Sequence, residues 1–128
     1  MMKDQGITET IIGCAYRVYN QLGFGFLESV YGKSLLIELR KSGLNAESQA
    51  PVKVHYDGQV VGDFFADIVV EGSVILELKS VKNIIKAHEV QLVNYLKATG
   101  IETGLLINFG EAGVEVKRKY KDAPEKIF

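Results

Sequence analysis

A single cysteine, Cys14, stands in the chain of 128 residues, which excludes an intramolecular disulfide and fits a reducing, cytoplasmic setting. With no neighbouring histidine or other base in sequence to activate it, Cys14 is expected to be a small core residue. No apolar run approaches the roughly 20 residues that a membrane span needs. The opening MMKDQGITETIIG lacks a basic-then-apolar leader, so neither a signal peptide nor a membrane partner is expected. Neither sign of charge dominates. The net charge of -1 excludes a strongly basic, non-specific binder of nucleic acid, although a local basic cleft is compatible with it. Prolines number two, Pro51 and Pro124, and there is no repeat, linker or low-complexity segment. Paired Cys-x-x-Cys zinc ligands, a glycine-rich phosphate loop and a Ser-His-Asp set are all missing.

What is present is an ordinary globular pattern of a length that fits one domain over residues 1–128. Ile11, Ala15, Val18 and Leu22 keep helical spacing, so a first helix is expected from Thr8 to Leu22. Thr8 would be its N-cap, with Ile7 stapled onto Ile12, and Gly23 and Gly25 would stop it. A second helix is expected from Phe26 to Ser42, ended by Gly43. The period then changes to two. PVKVHY (51–56) reads as a strand, Asp57-Gly58 as a hairpin turn, and QVVGDFFADIVV (59–70) as a second strand bent near Gly62. VILELKS (74–80) follows the turn 71–73, and a third helix begins between Asn83 and Ala87 and ends near Thr99. TGLLINF (103–109) reads as a sheet-interior strand and GVEVKRKY (113–120) as a basic, alternating edge strand; the end of the chain, YKDAPEKIF, is expected to fray. The helical crossover between the third and fourth strands makes them parallel, so the fold class is α/β, a mixed sheet with helices on its faces.

The hairpin 64–80 raises the chemical question, because Asp67, Glu77 and Lys79 interrupt otherwise apolar strands. Charged side chains are seldom buried unless paired or bound to a metal. Residues two apart on a strand share a face, so Glu77 and Lys79 point one way, roughly 6.6 Å apart, and Val74, Leu76 and Leu78 the other. A two-residue loop would set Asp67 against Leu76. The three-residue loop 71–73 sets it against Glu77, with Cβ atoms roughly 5 Å apart. Two carboxylates so placed repel unless a cation lies between them, and a divalent ion with oxygen ligands would fit. An exposed Glu-Lys pair on a surface strand is the plainer alternative.

Two helical stretches add candidates. Gln91 and Tyr95 are four apart on one helix face, beside the apolar stripe of Ile84, Ile85, Leu92 and Leu96, so Gln91 can reach toward the sheet. His88 on that stripe reads as a packing residue before a ligand, and His55, beside a turn, as structural. In GFLESVY (25–31), Glu28 falls on the stripe of Tyr31, Leu35 and Leu39, a carboxylate on the face meant for the core. It is either a first-turn acid favoured by the helix dipole or a third acidic ligand, direct or through water.

Gly25, Glu28 and Tyr31 fit the G-x-x-E-x-x-Y signature, and the chain from Ile7 to Lys119 resembles the GxxExxY family of the PD-(D/E)XK nuclease superfamily. The restriction-endonuclease-like αβββαβ core of that superfamily lies inside the element order read above, with an extra N-terminal helix and a C-terminal edge strand. Its D…E-x-K motif falls on Asp67, Glu77 and Lys79; Ala66 stands where many members have proline. Gln91 and Tyr95 resemble the Q-x-x-x-Y motif of RecB-like exonucleases. The resemblance implies a phosphodiesterase acting on DNA or RNA with Mg²⁺ or Mn²⁺ held by Asp67, Glu77, the Leu78 carbonyl and Glu28. It implies that Lys79 assists the attacking water, and that Gln91 and Tyr95 orient the lysine or the substrate.

Other classes stay open: a nuclease-fold module that binds nucleic acid or protein without cutting, and an oligomer-forming protein that uses the strand 113–120. Near-neutral charge also leaves room for a protein partner that supplies nucleic-acid affinity. Lys117, Arg118, Lys119 and Lys121 read most simply as a solvated charge run.

Overall fold

The computed structural model describes residues 5–122. Its elements are α1 (Gln5–Leu22), α2 (Glu28–Lys41), β1 (Ala46–Tyr56), β2 (Gln59–Val70), β3 (Val74–Lys79), α3 (Lys86–Thr99), β4 (Thr103–Gly110) and β5 (Gly113–Tyr120). The strands form a mixed sheet in sequence order, β1-β2-β3-β4-β5. All neighbours are antiparallel except β3 and β4, which are parallel, as a helical crossover demands. Most of the expected fraying at 120–128, and Pro124 with it, lies outside the described residues; Tyr120 itself closes β5. No helix among the described residues is long and apolar enough to cross a membrane.

The sheet divides two cores. Ile11, Cys14, Ala15 and Val18 of α1 and Tyr31, Leu35 and Leu39 of α2 pack on one face, against Leu76, Leu78, Leu105, Ile107 and Phe109. On the other face Leu92, Tyr95 and Leu96 of α3 pack against Val52, Ala66, Ile75 and Leu106. β4 lies between them and is buried along its whole length, which is why it carries almost no polar residue. β5 is an edge: Val114 and Val116 turn to the first core, while Lys119 pairs with Glu89 of α3 on the second face.

Several boundaries differ from the sequence reading, each for a physical reason. α1 begins at Gln5, so Thr8 is not a cap; it is buried within the helix and its hydroxyl donates to the Gln5 carbonyl at 3.0 Å. Ile7 and Ile12 both pack on the core instead of stapling across a cap. α2 begins at Glu28 because the preceding residues are held out of the helix by Gly25, whose φ of 116° favours glycine, and by Tyr31. β1 starts five residues earlier than its apolar pattern, since Ala46, Glu47, Ser48 and Ala50 find ladder partners in Val70, Val69, Ile68 and Ala66. Pro51 is tolerated there because β1 is an edge strand. The bend near Gly62 is a bulge: Val54 pairs with Gly62 and His55 with Val60, leaving Val61 extra.

α3 approaches β4 closely at Gly104, where an added Cβ would stand 2.8 Å from Leu92 Cδ1 and 3.1 Å from its Cγ. Gly104→Ala is expected to lower stability by about 1–3 kcal/mol through overpacking. In urea titrations the loss should shrink when Leu92 is already alanine, so the double-mutant cycle should show coupling between the two positions. Additive losses would mean that the contact is not the cause.

Candidate active site

Val70 pairs with Val74, Val69 with Ile75 and Ile68 with Leu76, so the loop 71–73 has three residues and Asp67 comes level with Glu77. The ladder nevertheless stops there. Ala66 packs in the core beneath α3 and Ile68 in the core beneath α1 and α2, although residues two apart on a regular strand share a face. β2 therefore turns over at Asp67. Across β1, Ser48 pairs with Ile68 and Ala50 with Ala66, and Gln49 between them takes a positive φ of 55°. β1 and β2 thus both leave regular strand geometry at the level of Asp67, while β3 keeps its ladder to β4.

Where β2 and β3 part, the two carboxylates replace the missing ladder bonds. The Asp67 amide donates to Glu77 Oε2 at 2.8 Å, and the Leu78 amide donates to Asp67 Oδ2 at 2.8 Å. The simple face-to-face pair expected from the register is thus corrected to a reciprocal clasp inside the gap between strands. Each carboxylate satisfies a backbone N–H that the parting strands would otherwise orphan.

The clasp does not neutralise the charge. Glu77 is 7% exposed, and its pKa is pushed up to about 7 by burial and by the neighbouring Asp67 carboxylate. Burial also raises Asp67, against the pull of the Leu78 amide and the Lys79 ammonium. Lys79 shares the face of Glu77 and Ile75 by strand alternation, is half-buried, and makes no ion pair with any described acid. It faces the pair without closing onto it.

Tyr95 approaches the carboxylates from α3. Burial raises its pKa, and the charges of Glu77 and Asp67 add to that, so it remains a phenol. Gln91 is exposed and donates to the Tyr95 hydroxyl at 3.0 Å. Glu28 does not lie on the core face as its helical stripe suggested. As the first residue of α2 it projects past the buried Tyr31, Leu35 and Leu39, and with Asp67, Gln49, Lys33 and Leu78 it lines a cleft of about 330 Å³. Its charge still adds to the upward shift of Glu77. Among the described residues no three carboxylate, imidazole or thiol groups gather closely enough to hold a metal, so Asp67 and Glu77 form a pair with Glu28 apart.

Tyr31 accounts for the rest of its motif. Its hydroxyl donates to the Gly23 carbonyl at 2.5 Å and accepts from the Phe26 amide at 3.3 Å, while its ring stacks on Phe109 at 4.5 Å. Ser80, next to Lys79, donates to the Phe26 carbonyl at 2.9 Å. The segment before α2 is thus tied both to the core and to the end of β3. Of the two histidines, His88 caps α3, its Nδ1 accepting from the Ile85 amide, and His55 lies exposed at the β1 bulge. Sequence reasoning missed Asn108. Buried in β4 beside Lys79, it accepts from the Val81 amide and donates to the Val81 carbonyl, both at 2.9 Å, and so fixes the chain that leaves Lys79. Its signal was available: it is the polar residue in an otherwise apolar strand core.

A sequence model of the PD-(D/E)XK nuclease superfamily matches residues 5–119. The chain belongs to that superfamily. Its residues Asp67, Glu77 and Lys79 stand in the gap just described, and nucleases of the superfamily generally use divalent metals. Among solved structures the fold resembles the one titled "Crystal structure of SSO0001", with a TM-score of 0.57 and 21% identity over 92% of this chain. The chain spans 59% of the length of that one. No curated protein matches.

The raised pKa of Glu77 fixes a pH dependence. Between its ordinary value of 4.5 and its folded value of about 7, the folded protein holds a proton that the unfolded chain has released. Stability of the metal-free protein should therefore fall as pH rises through that window, by on the order of 3 kcal/mol once the proton is lost. Glu38 and Glu89, held low by Arg17 and Lys119, contribute only below it. Thermal melts with chelator should show a higher melting temperature at pH 5 than at pH 8, and Glu77→Gln should flatten most of that slope. An unchanged slope in Glu77→Gln would place the titrating group elsewhere.

Proposed function

We propose that this protein is a metal-dependent nuclease that hydrolyses phosphodiester bonds of DNA or RNA, and that Gly25, Glu28 and Tyr31 are the signature of the GxxExxY branch. One observation carries the reading: a buried carboxylate, Glu77, and a half-buried one, Asp67, stand together without a cationic partner between them, beside a lysine that pairs with neither. Such a pair is costly unless a cation is bound in use. The donor chemistry, two carboxylates and the Leu78 carbonyl at the end of the clasp, suits a hard ion such as Mg²⁺ or Mn²⁺, with Glu28 contributing through water. When bound, the ion would polarise a phosphoryl oxygen and favour ionisation of water.

The chain's own residues supply the rest. Asp67 and Glu77 bind and shed the Glu77 proton as they do so. Lys79 acts on the attacking water or on the charge that develops at the phosphate. Tyr95, kept a phenol and oriented by Gln91, donates to the same oxygens or holds the lysine. Tyr31 and Asn108 are positioning residues, one for Glu28 and the other for the chain behind Lys79.

Two carboxylates gather in the gap instead of three, and this favours a second reading, a module that binds nucleic acid without cutting it. The experiments separate the two. Because Glu77 is partly protonated near neutral pH, calorimetric titration of Mn²⁺ should show proton release that varies with buffer, and Asp67→Asn should abolish binding. Saturating metal should raise the melting temperature by linkage. Lys79→Met keeps the aliphatic stem and removes the ammonium; it should retain metal binding and fold, yet cleave labelled DNA or RNA about a hundredfold more slowly or worse. Equal cleavage rates for wild type and Lys79→Met would end the proposed role of the lysine, and no cleavage by wild type across both nucleic acids would leave the binding module.

A further inference from the structure

On the α3 side of the sheet, reaching the carboxylate pair through Tyr95, lies a second and larger hollow of about 1020 Å³ between the β1-β2 hairpin and α3. β3 pairs with β2 only at Ile68–Val70, so the hairpin runs on alone as an arm past the sheet. Phe64 from the arm meets Tyr95 from α3, ring centroids 5.9 Å apart and tilted by 33°. Val90, Ala87 and Ala98 continue the apolar wall. Around it stand Lys86, Lys97, Gln91 and Asn94, and no carboxylate lines the hollow.

We infer that this groove holds unpaired nucleotides of the strand being cut, so that the substrate is single-stranded or carries a single-stranded end. The inference rests on the nuclease reading and names its substrate class. Continuity with the site runs through Tyr95, which lines the groove and lies in the field of Asp67 and Glu77, and whose hydroxyl accepts from Gln91 in the same groove. Charge selects a polyanion, since lysines and neutral amides surround an apolar floor. The floor then selects the form of the strand. A duplex turns its phosphates outward and keeps its bases stacked within, so it would leave the apolar wall unmatched. An unpaired strand offers base faces to aromatic rings and phosphates to the lysines. Rings 5.9 Å apart leave no slot between them. The base therefore lies on the open side of Phe64, a ring 46% exposed despite its size.

The test measures binding without cleavage. Fluorescence anisotropy in chelator would compare a labelled oligothymidylate of about 15 nucleotides with a duplex of the same length, a span that one such binding face can cover. The oligothymidylate should bind at least about tenfold more tightly. Phe64→Ala should weaken it by about fivefold to a hundredfold, the effect of losing one stacked base, and leave the duplex unchanged. Phe64→Tyr should restore it, and Phe64→Leu, which keeps apolar bulk without a π face, should not. Lys97→Gln should lower the salt slope for the single strand by about 0.7. Equal affinity for both forms, or single-strand binding indifferent to Phe64→Leu, overturns the proposal. Failure of both nucleic acids to bind overturns it too, and leaves the groove to a protein segment. Phe64-dependent binding without any cleavage on adding Mn²⁺ would keep the groove and remove the nuclease reading. Cleavage with binding indifferent to Phe64 would do the reverse.

Discussion

Two backbone amides, those of Asp67 and Leu78, are satisfied by carboxylates instead of by carbonyls, and the rest of the site follows from that substitution. A sheet cannot open between two strands without orphaning N–H groups, and a buried orphan costs about 1–3 kcal/mol. Here each side chain that must stay near the opening also closes it. The arrangement lets β2 turn over, sends Ala66 and Ile68 to different cores, and leaves Asp67 on the cleft beside α2 with Glu77 buried behind it. Their mutual repulsion remains, and it is this uncompensated charge that makes the gap chemically interesting.

Around the gap the two sides differ. Toward α2 the lining sets charges of both signs and small polar groups, Glu28, Lys33, Ser48 and Gln49, among the aliphatic Leu36, Ile68 and Leu78. Toward α3 it is apolar with basic and amide groups. A phosphodiester at the carboxylates would meet water and hydrogen-bonding groups on one side and rings on the other. The asymmetry arises from topology, because α2 enters beside the splayed strands by its N-terminus, while α3 lies along the sheet and offers a flank.

Much of this was legible in the sequence. Strand alternation and the length of the 71–73 loop suffice to place Asp67 level with Glu77, and an i, i+4 spacing suffices to join Gln91 to Tyr95. The order of elements and the parallel pairing of β3 with β4 follow from period and crossover. What was not legible depends on partners distant in the chain. The turnover of β2 at Asp67 is set by two cores on opposite faces. The polar start of β1 becomes strand because β2 is there to pair with it. Thr8 looks like a cap until Ile7 before it is given a core to pack on. Glu28 keeps its helical stripe but stands one turn beyond where the core ends.

Asn108 also places the site in time. Its two bonds to Val81 join segments 27 residues apart in the chain, across the whole of α3. They exist only after β4 has docked beside β3, and parallel pairing across a crossover is among the slower events of folding because loop closure must come first. The hairpin β2-β3, by contrast, is local and can bring Asp67 and Glu77 together early. A chain still emerging or partly unfolded would thus carry its two acids in register while the segment behind Lys79 is still loose. The Asn108 bonds make completion of the lysine's surroundings contingent on completion of the sheet.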